Sequence, residues 1–223
     1  MMNWPLAHPL VVDIETAAHP DADQWLDQPE ADKRLTDPVK VAASIAEKAQ
    51  QQRERASLDP NVGRIVALGL WDATGGTRSF VCQTEAEEAK ALAHLWDEYK
   101  WAQLVTFNGL KFDLRYCVRR SQLLGVAHPQ LSLSRWSKDA ICDLYAELTF
   151  GDGQYDQGVM RRTLKAFARR FGVPVPADVD GAEIPALVAE GRWDAIRQHV
   201  ENDVVMTARL AQRLGVIDAA VPV

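Results

Sequence analysis

Apolar residues recur along the chain in two periods, and together these periods predict a mixed sheet with helices around it. Strand-like apolar runs occur at residues 9–16, 63–71, 77–82, 103–107 and 140–143. Helical spacing, or start and stop signals for a helix, occur at residues 39–58, 84–99, 112–124, 144–148, 163–171, 183–190 and 193–214. A hairpin followed by alternating helices and strands predicts the α/β class, with one domain over residues 1–223.

A polar segment at about residues 19–61 interrupts this alternation. Asp37 followed by Pro38 predicts a helix start there, because proline is favoured at the first helical position. The apolar positions of this helix are sparse, and residues 50–55 are all polar. We therefore interpret the segment as a helical surface excursion packed along one narrow stripe, with a clamp on substrate as the alternative.

Composition excludes some classes of function. The 223 residues carry a net charge of −6, so no overall positive field attracts nucleic acid, and a polyanion would need a local basic surface. Three cysteines without a C-x-x-C spacing fit a reducing compartment. No signal peptide and no apolar run near 18 residues occurs, so we expect a cytoplasmic protein without a membrane role.

The first predicted strand carries two acids. Asp13 and Glu15 alternate with Val12 and Ile14, so both carboxylates project from one face while the apolar side chains pack on the other. Two neighbouring carboxylates repel each other, and a divalent metal ion relieves that repulsion. The alternative is that the two acids only begin a solvated turn.

Two more acids occur where other elements would bring them to the same edge of the sheet. Asp113 begins a helix just after the fourth strand in chain order, and Asp203 lies on the closing helix. His199 is one turn before Asp203, so the two share a helix face. Taken singly, each has an ordinary explanation: Asp113 can be a first-turn acid favoured by the helix dipole, and Asp203 and His199 can be solvated.

The sequence contexts of these acids occur together in one known family. Asp13-Ile-Glu15-Thr, then Asn108-Gly-x-x-Phe-Asp113, then a closing helix with Asp203-Val resemble the DEDD superfamily of 3′–5′ exonucleases. More narrowly, the chain resembles predicted exonucleases related to the proofreading domain of family-B DNA polymerases. The resemblance spans nearly the whole chain and implies a ribonuclease H-like fold.

The resemblance also implies a mechanism. The catalytic residues would be Asp13, Glu15, Asp113, His199 and Asp203, and the four carboxylates would hold two divalent ions, Mg²⁺ or Mn²⁺. The substrate would be the 3′ end of single-stranded DNA, from which 5′ mononucleotides are released. His199 would accept or orient the proton of the attacking water. It stands four residues before Asp203, a position at which one subclass of the family has tyrosine. The other subclass has histidine five residues before this acid, where this chain has Gln198.

Contacts to the substrate are assigned from local chemistry. The densest basic run includes Arg161, Arg162 and Lys165, which would hold a phosphate backbone, or which instead form a solvated helix face. Asn108 and Phe112 flank the site, and an aromatic ring there can stack on a base, although Phe112 also suits the core. Thr16 belongs to the first motif. Asp143 is predicted to cap the helix that follows it.

Other functions remain open at this stage. An exoribonuclease of the same fold has the same acids, since nothing in the sequence recognisably contacts a 2′-hydroxyl. A non-catalytic nucleic-acid-binding module would keep the fold, but it would not need all four acids. A metal-dependent phosphatase or endonuclease fits the acids but not the order of the three motifs.

Overall fold

A computed structural model of the chain describes residues 6–133, 141–149 and 163–221, and a five-stranded sheet lies at its centre. The strands are β1 (Pro9–Ala18), β2 (Gly63–Asp72), β3 (Gly76–Val81), β4 (Gln103–Thr106) and β5 (Ile141–Asp143). Their order in the sheet is β3-β2-β1-β4-β5. The pairs β1–β2 and β2–β3 are antiparallel, whereas the pairs β1–β4 and β4–β5 are parallel. The predicted α/β class and mixed sheet are confirmed.

Seven α-helices occur within the described ranges. They are α1 (Pro38–Arg55), α2 (Glu85–Tyr99), α3 (Asp113–Leu124), α4 (Leu144–Leu148), α5 (Leu164–Arg170), α6 (Ile184–Ala189) and α7 (Trp193–Arg213). Local chemistry sets several of their ends: Thr84 and Glu87 form a capping box at α2, and Gly125 ends α3 in the left-handed region at φ 68°. None of these helices has the length and apolar character needed to cross a bilayer.

Strand β1 is longer than the sequence indicated. We expected it to end at Thr16, just after the acids, but it continues to Ala18, because its antiparallel pairing with β2 extends to Gly63. Its parallel pairing with β4 covers only residues 9–11. Asp13 therefore lies within a paired strand, yet beyond the end of β4, and this leaves open space beside it.

The two faces of the sheet are covered by different helices. Val12 and Ile14 of β1 pack in a core that includes Leu92 of α2 and Leu114 of α3. Val11 packs on the opposite face, in a core built with residues of α5 and α7. Because side chains alternate along a strand, Asp13 lies on the same face as Val11. The acids of β1 are thus directed toward α7.

Helix α7 approaches the sheet closely because of one glycine. Gly69 of β2 pairs with Asp13, and a Cβ atom at Gly69 would lie 2.6 Å from Val204 Cγ2 and 2.9 Å from Val200 Cγ2. The missing side chain therefore leaves room for the helix at this point. The close approach brings the polar residues of the same turns, His199 and Asp203, next to β1.

The excursion between β1 and β2 has little contact with the core. Helix α1 contains no buried residue, and of its sparse apolar stripe Val41 and Ala49 are only half-buried. Polar contacts with the preceding loop hold it: Lys48 Nζ donates to the Glu30 carbonyl oxygen at 2.6 Å, and Arg53 Nε donates to Asp23 Oδ1 at 3.0 Å.

Candidate active site

A cleft of about 760 Å³ opens beyond the end of β4, and the residues singled out by the motifs line it. Asp13 and Glu15 come from β1, Asp113 comes from the first turn of α3, and His199 and Asp203 come from α7. We call the four carboxylates, Asp13, Glu15, Asp113 and Asp203, the acid cluster. Residues that are far apart in sequence thus line one cavity, as the motifs predicted.

Short distances connect the members of this group. The amide nitrogen of Ile14 donates to Asp113 Oδ1 at 3.2 Å. His199 Nε2 lies 3.2 Å from Glu15 Oε1 and 4.0 Å from Asp203 Oδ2. One ligand atom from each of Glu15, His199 and Asp203 lies within 4.8 Å of the other two, a spacing compatible with a shared metal ion.

The electrostatics of the acid cluster favour the protonated form of its carboxyls. Burial raises the pKa of Asp13 well above its usual value, and the charges of Asp113, Asp203 and Glu15 raise it further. Burial and the same kind of repulsion raise the pKa of Glu15. Burial also raises the pKa of Asp113 to about 7, although hydrogen bonds from backbone amides oppose this. Bringing these groups together without a cation is therefore unfavourable.

The residues present fit a divalent metal ion. Asp203 Oδ1 is buried and has no hydrogen-bond partner within the part of the chain that the structure describes. Hard divalent cations prefer carboxylate oxygens, and their charge offsets the repulsion that raises the pKa of each acid. The acid cluster is therefore chemically suited to hold such ions.

Asp178 belongs to this site, although no motif pointed to it. Its Oδ2 lies 2.9 Å from His199 Nδ1 and accepts a hydrogen bond from Asn202 Nδ2 at 3.0 Å, while its Oδ1 accepts one from the Val179 amide at 2.7 Å. Burial works against its charge, but the hydrogen bonds from Asn202 and His199 hold the pKa of Asp178 below its usual value. The sequence gives no signal for this residue, since it stands in an irregular loop.

The loop between β4 and α3 is shaped by Asn108 and Asp143. Asn108 has a positive φ of 66°, a conformation that asparagine tolerates better than most residues. Asp143 Oδ1 accepts from the Asn108 amide at 2.7 Å, and Asp143 Oδ2 accepts from the Leu110 amide at 3.1 Å. Asp143 also caps α4 through the Tyr145 amide, so its predicted capping role is confirmed. One carboxylate thus fixes the loop that leads to Asp113.

Aromatic rings form one wall of the cleft. Phe107 and Tyr145 meet edge to face with centroids 5.5 Å apart, and Phe167 packs behind both. Lys111 Nζ lies over the Tyr145 ring, 5.7 Å from its centre, a distance compatible with a cation–π contact. The sequence did not single out Tyr145 or Lys111, because Tyr145 lies outside the recognised motifs and Lys111 occupies an unspecified position of the second one.

Of the residues predicted to contact the substrate, only some line the cleft. Asn108, Phe112 and Lys165 line the cleft, and Phe112 also packs against the core. Lys165 Nζ donates to the Val179 carbonyl oxygen at 2.9 Å. Thr16 is buried on β1 and is not among the described residues that line the cleft. Arg161 and Arg162 lie outside the described residues.

A family comparison identifies the fold around this cleft. A family model described as the RNase H superfamily matches residues 53–215, most of the chain. The chain belongs to the RNase H superfamily. The matched segment includes Asp113, His199 and Asp203 and begins after β1. The RNase H fold is typical of nucleases, and such nucleases generally use divalent metal ions, which agrees with the acid cluster.

Solved structures agree with this assignment at the level of the fold. The family B DNA polymerase from the hyperthermophilic archaeon Pyrobaculum calidifontis matches with a TM-score of 0.62 and 21% sequence identity. The match covers 94% of this RNase H superfamily chain and 24% of the polymerase chain, so the protein spans about a quarter of that polymerase's length. The resemblance to the family-B polymerase group is thus confirmed for the fold. No curated protein matches the sequence.

Proposed function

We propose that the protein is a metal-dependent 3′–5′ exonuclease that removes 5′ mononucleotides from single-stranded DNA. The observation that carries the proposal is the convergence of four carboxylates, from β1, α3 and α7, in one cleft. The RNase H superfamily fold supports a nuclease acting on nucleic acid. The 3′–5′ direction and the preference for single strands rest on the sequence resemblance to proofreading exonucleases.

Each member of the acid cluster has a role in this proposal. The charge of Asp13 interacts with those of the other three acids, and Asp13 would help to hold both ions. Glu15 and Asp203 would hold one of the ions, and Asp113 the other. When bound, such ions lower the pKa of a water molecule and neutralise the charge on the leaving 3′ oxygen. The Ile14 amide holds Asp113 in place, so that its carboxylate keeps a fixed position beside β1.

The walls of the cleft would position the substrate. Tyr145 lines the cleft, and its ring would stack on a base of the substrate, a kind of contact that is tolerant of sequence. Lys111 and Arg169 also line the cleft and would contact the phosphates beside an acidic centre. Lys165 lies close enough to the acid cluster for its charge to oppose part of the rise in the pKa of Glu15, and it would hold the phosphate nearest to the reaction.

Digestion of single-stranded DNA and RNA, each labelled at the 5′ end, tests this proposal. We expect Mg²⁺ or Mn²⁺ to produce products that shorten progressively from the 3′ end, and EDTA to abolish them. Asp113→Asn should be inactive, whereas Asp97→Asn, which changes an exposed carboxylate on α2 that pairs with Lys100, should be fully active.

The alternatives give different products. Faster digestion of RNA would indicate an exoribonuclease, and internal fragments without 3′ shortening would indicate an endonuclease. Binding of single-stranded DNA without cleavage in any metal would contradict the proposal and favour a non-catalytic module.

A further inference from the structure

The imidazole of His199 is enclosed between carboxylates. Nδ1 lies 2.9 Å from Asp178 Oδ2, while Nε2 lies 3.2 Å from Glu15 Oε1 and 4.0 Å from Asp203 Oδ2. The side chain is only 2% exposed, so Nε2 faces the acid cluster rather than bulk water. Metal-binding histidines are usually held in this way, with one ring nitrogen donating to a carboxylate and the other directed at the ion.

The hydrogen bonds of Asp178 determine which ring nitrogen carries a proton. An ionised carboxylate only accepts hydrogen bonds, and Asp178 already accepts from Asn202 and Val179. His199 Nδ1 must therefore be the protonated nitrogen, and in the neutral ring the lone pair of Nε2 is directed at Glu15 and Asp203. A lone pair facing two ionised carboxylates is unfavourable unless a proton or a metal ion lies between them, and a metal ion would accept this lone pair directly.

The distances are compatible with a common ion. Two ligand atoms that are each about 2.1 Å from a divalent ion lie roughly 3 to 4.2 Å apart, depending on the angle at the metal. The distances from His199 Nε2 to Glu15 Oε1 and to Asp203 Oδ2, 3.2 and 4.0 Å, fall within that range. The buried Asp203 Oδ1, which has no partner among the described residues, provides one more donor beside the same space.

We infer that His199 Nε2 is a direct ligand of the ion held by Glu15 and Asp203, and that this nitrogen makes the position selective for a transition ion such as Mn²⁺ over Mg²⁺. Magnesium strongly prefers oxygen ligands and gives up its water reluctantly. Mn²⁺ also binds carboxylates, but it belongs to the first-row transition ions, for several of which imidazole is a usual ligand, so it would accept one nitrogen beside two carboxylates. The inference rests on the proposed function for the presence of metal in the acid cluster. A role as metal ligand replaces the role expected from the sequence, in which His199 accepts or orients the proton of a water molecule.

Pulsed electron paramagnetic resonance of the Mn²⁺-loaded protein tests the inference directly. Protein grown with ¹⁵N-histidine is compared with unlabelled protein, so that a directly bound imidazole appears as a label-dependent coupling between Mn²⁺ and nitrogen. The sequence has five histidines, and of these only His199 lines the cleft among the described residues. We expect the coupling in the wild type and its loss in His199→Gln. A bound Mn²⁺ without histidine coupling in the wild type, or coupling that persists in His199→Gln, would overturn the inference.

Titrations with Mn²⁺ and Mg²⁺ provide a second measurement. We expect His199→Gln to weaken Mn²⁺ binding at least about 10-fold more than Mg²⁺ binding, since only Mn²⁺ gains from the nitrogen. Asp178→Asn should weaken Mn²⁺ binding by about 10- to 100-fold, because the ring loses its orientation. Glu201→Gln, a change on the same helix at a carboxylate that accepts from Ser79, should alter neither affinity. Equal losses for the two ions in His199→Gln would contradict the selectivity.

These measurements separate the inference from the proposed function. If the protein shows histidine coupling to Mn²⁺ but digests neither DNA nor RNA, His199 is a metal ligand and the proposed exonuclease activity is refuted. If the protein digests DNA from the 3′ end but shows no such coupling, the exonuclease activity is supported and His199 is not a ligand.

Discussion

The backbone amide of Ile14 donates a hydrogen bond to Oδ1 of Asp113, which lies 99 residues further along the chain. Ile14 stands between Asp13 and Glu15, so this bond attaches the third acid to the strand that carries the first two. It also compensates part of the cost of burying Asp113, since a backbone donor stabilises the charged carboxylate. The acid cluster thus depends on a contact between β1 and the first turn of α3.

Asp113→Asn should separate catalysis from folding. The amide oxygen of asparagine can still accept from Ile14, so the contact between β1 and α3 survives, but the negative charge is lost. We expect nuclease activity to fall at least about 100-fold, the typical cost of removing one electrostatic contribution to a transition state. We also expect a higher melting temperature in EDTA, because the repulsion within the acid cluster decreases. Wild-type rates would contradict the role of Asp113, and calorimetry checks the stability.

The metal-free protein should lose stability as the pH rises. Burial raises the pKa of Asp13, Glu15 and Asp203, and repulsion from neighbouring acids adds to this for Asp13 and Glu15. Burial also raises the pKa of Asp113 to about 7. The folded state therefore binds more protons than the unfolded state between about pH 4 and pH 7, and its free energy of unfolding falls by about 1.4 kcal/mol per pH unit for each extra proton. Urea unfolding in EDTA from pH 5 to pH 8 measures this dependence.

The control for the pH dependence is Asp113→Asn, which removes one of the titrating groups and should reduce the slope. Saturating Mn²⁺ should raise stability most at the higher pH, where the carboxyls have lost their protons and bind the cation best. Stability that is flat or rises with pH in EDTA would mean that the pKa values of these acids are not raised in the folded protein.

The sequence predicted most of the sheet and the acids, because both depend on local patterns. Alternation along β1 places Asp13 and Glu15 on one face. The Thr84–Glu87 capping box fixes the start of α2 by local hydrogen bonds, which do not depend on what the helix packs against. Motif order then placed Asp113 and Asp203 beside β1. The alternation and the capping box can be recognised from residues that are near one another in the chain, and the positions of the distant acids can be recognised from the family resemblance.

Contacts between distant segments could not be predicted in the same way. Asp178 reaches His199 across 21 residues from an irregular loop, and no periodicity or motif marks it. The length of β1 was underestimated because its last two residues, Ala17 and Ala18, pair with Arg64 and Gly63, on the far side of the excursion. Tyr145 enters the cleft only because β5 pairs with β4 and directs α4 toward Phe107. Each case depends on tertiary packing.

Tyr145→Ala should weaken substrate binding more than catalysis. The ring lines the cleft without belonging to the acid cluster, and stacking a base on an aromatic side chain contributes about 1–3 kcal/mol. We expect KM for single-stranded DNA to rise about 10-fold and kcat to change less. Tyr145→Phe, which keeps the ring, should behave like the wild type. Trp101→Ala removes an aromatic side chain that is 81% exposed and does not line the cleft, so it should have no effect. An unchanged KM in Tyr145→Ala would exclude stacking on this ring.

Gly69→Ala should disturb the site without touching any polar residue. The added Cβ would lie 2.6 Å from Val204 Cγ2, so α7 must shift away from β2 or distort. Overpacking of this kind typically costs about 1–3 kcal/mol of stability. Because α7 carries His199 and Asp203, the same shift should reduce Mn²⁺ affinity and nuclease activity, which metal titration and digestion of labelled DNA would measure.

A second variant decides whether this contact is the cause. Val204→Ala removes the nearer of the two methyl groups that the new Cβ would meet, while Val200 Cγ2 stays at 2.9 Å. Alone, Val204→Ala should destabilise the protein by leaving a cavity. In the double variant the two changes compensate, so its free energy of unfolding should exceed the value expected from adding the two single effects. Metal affinity should recover in part, since the helix can move back toward β2 as far as the remaining Val200 contact allows. Simple additivity, with no recovery of Mn²⁺ binding, would show that the distance between α7 and β2 does not control the geometry of the acid cluster.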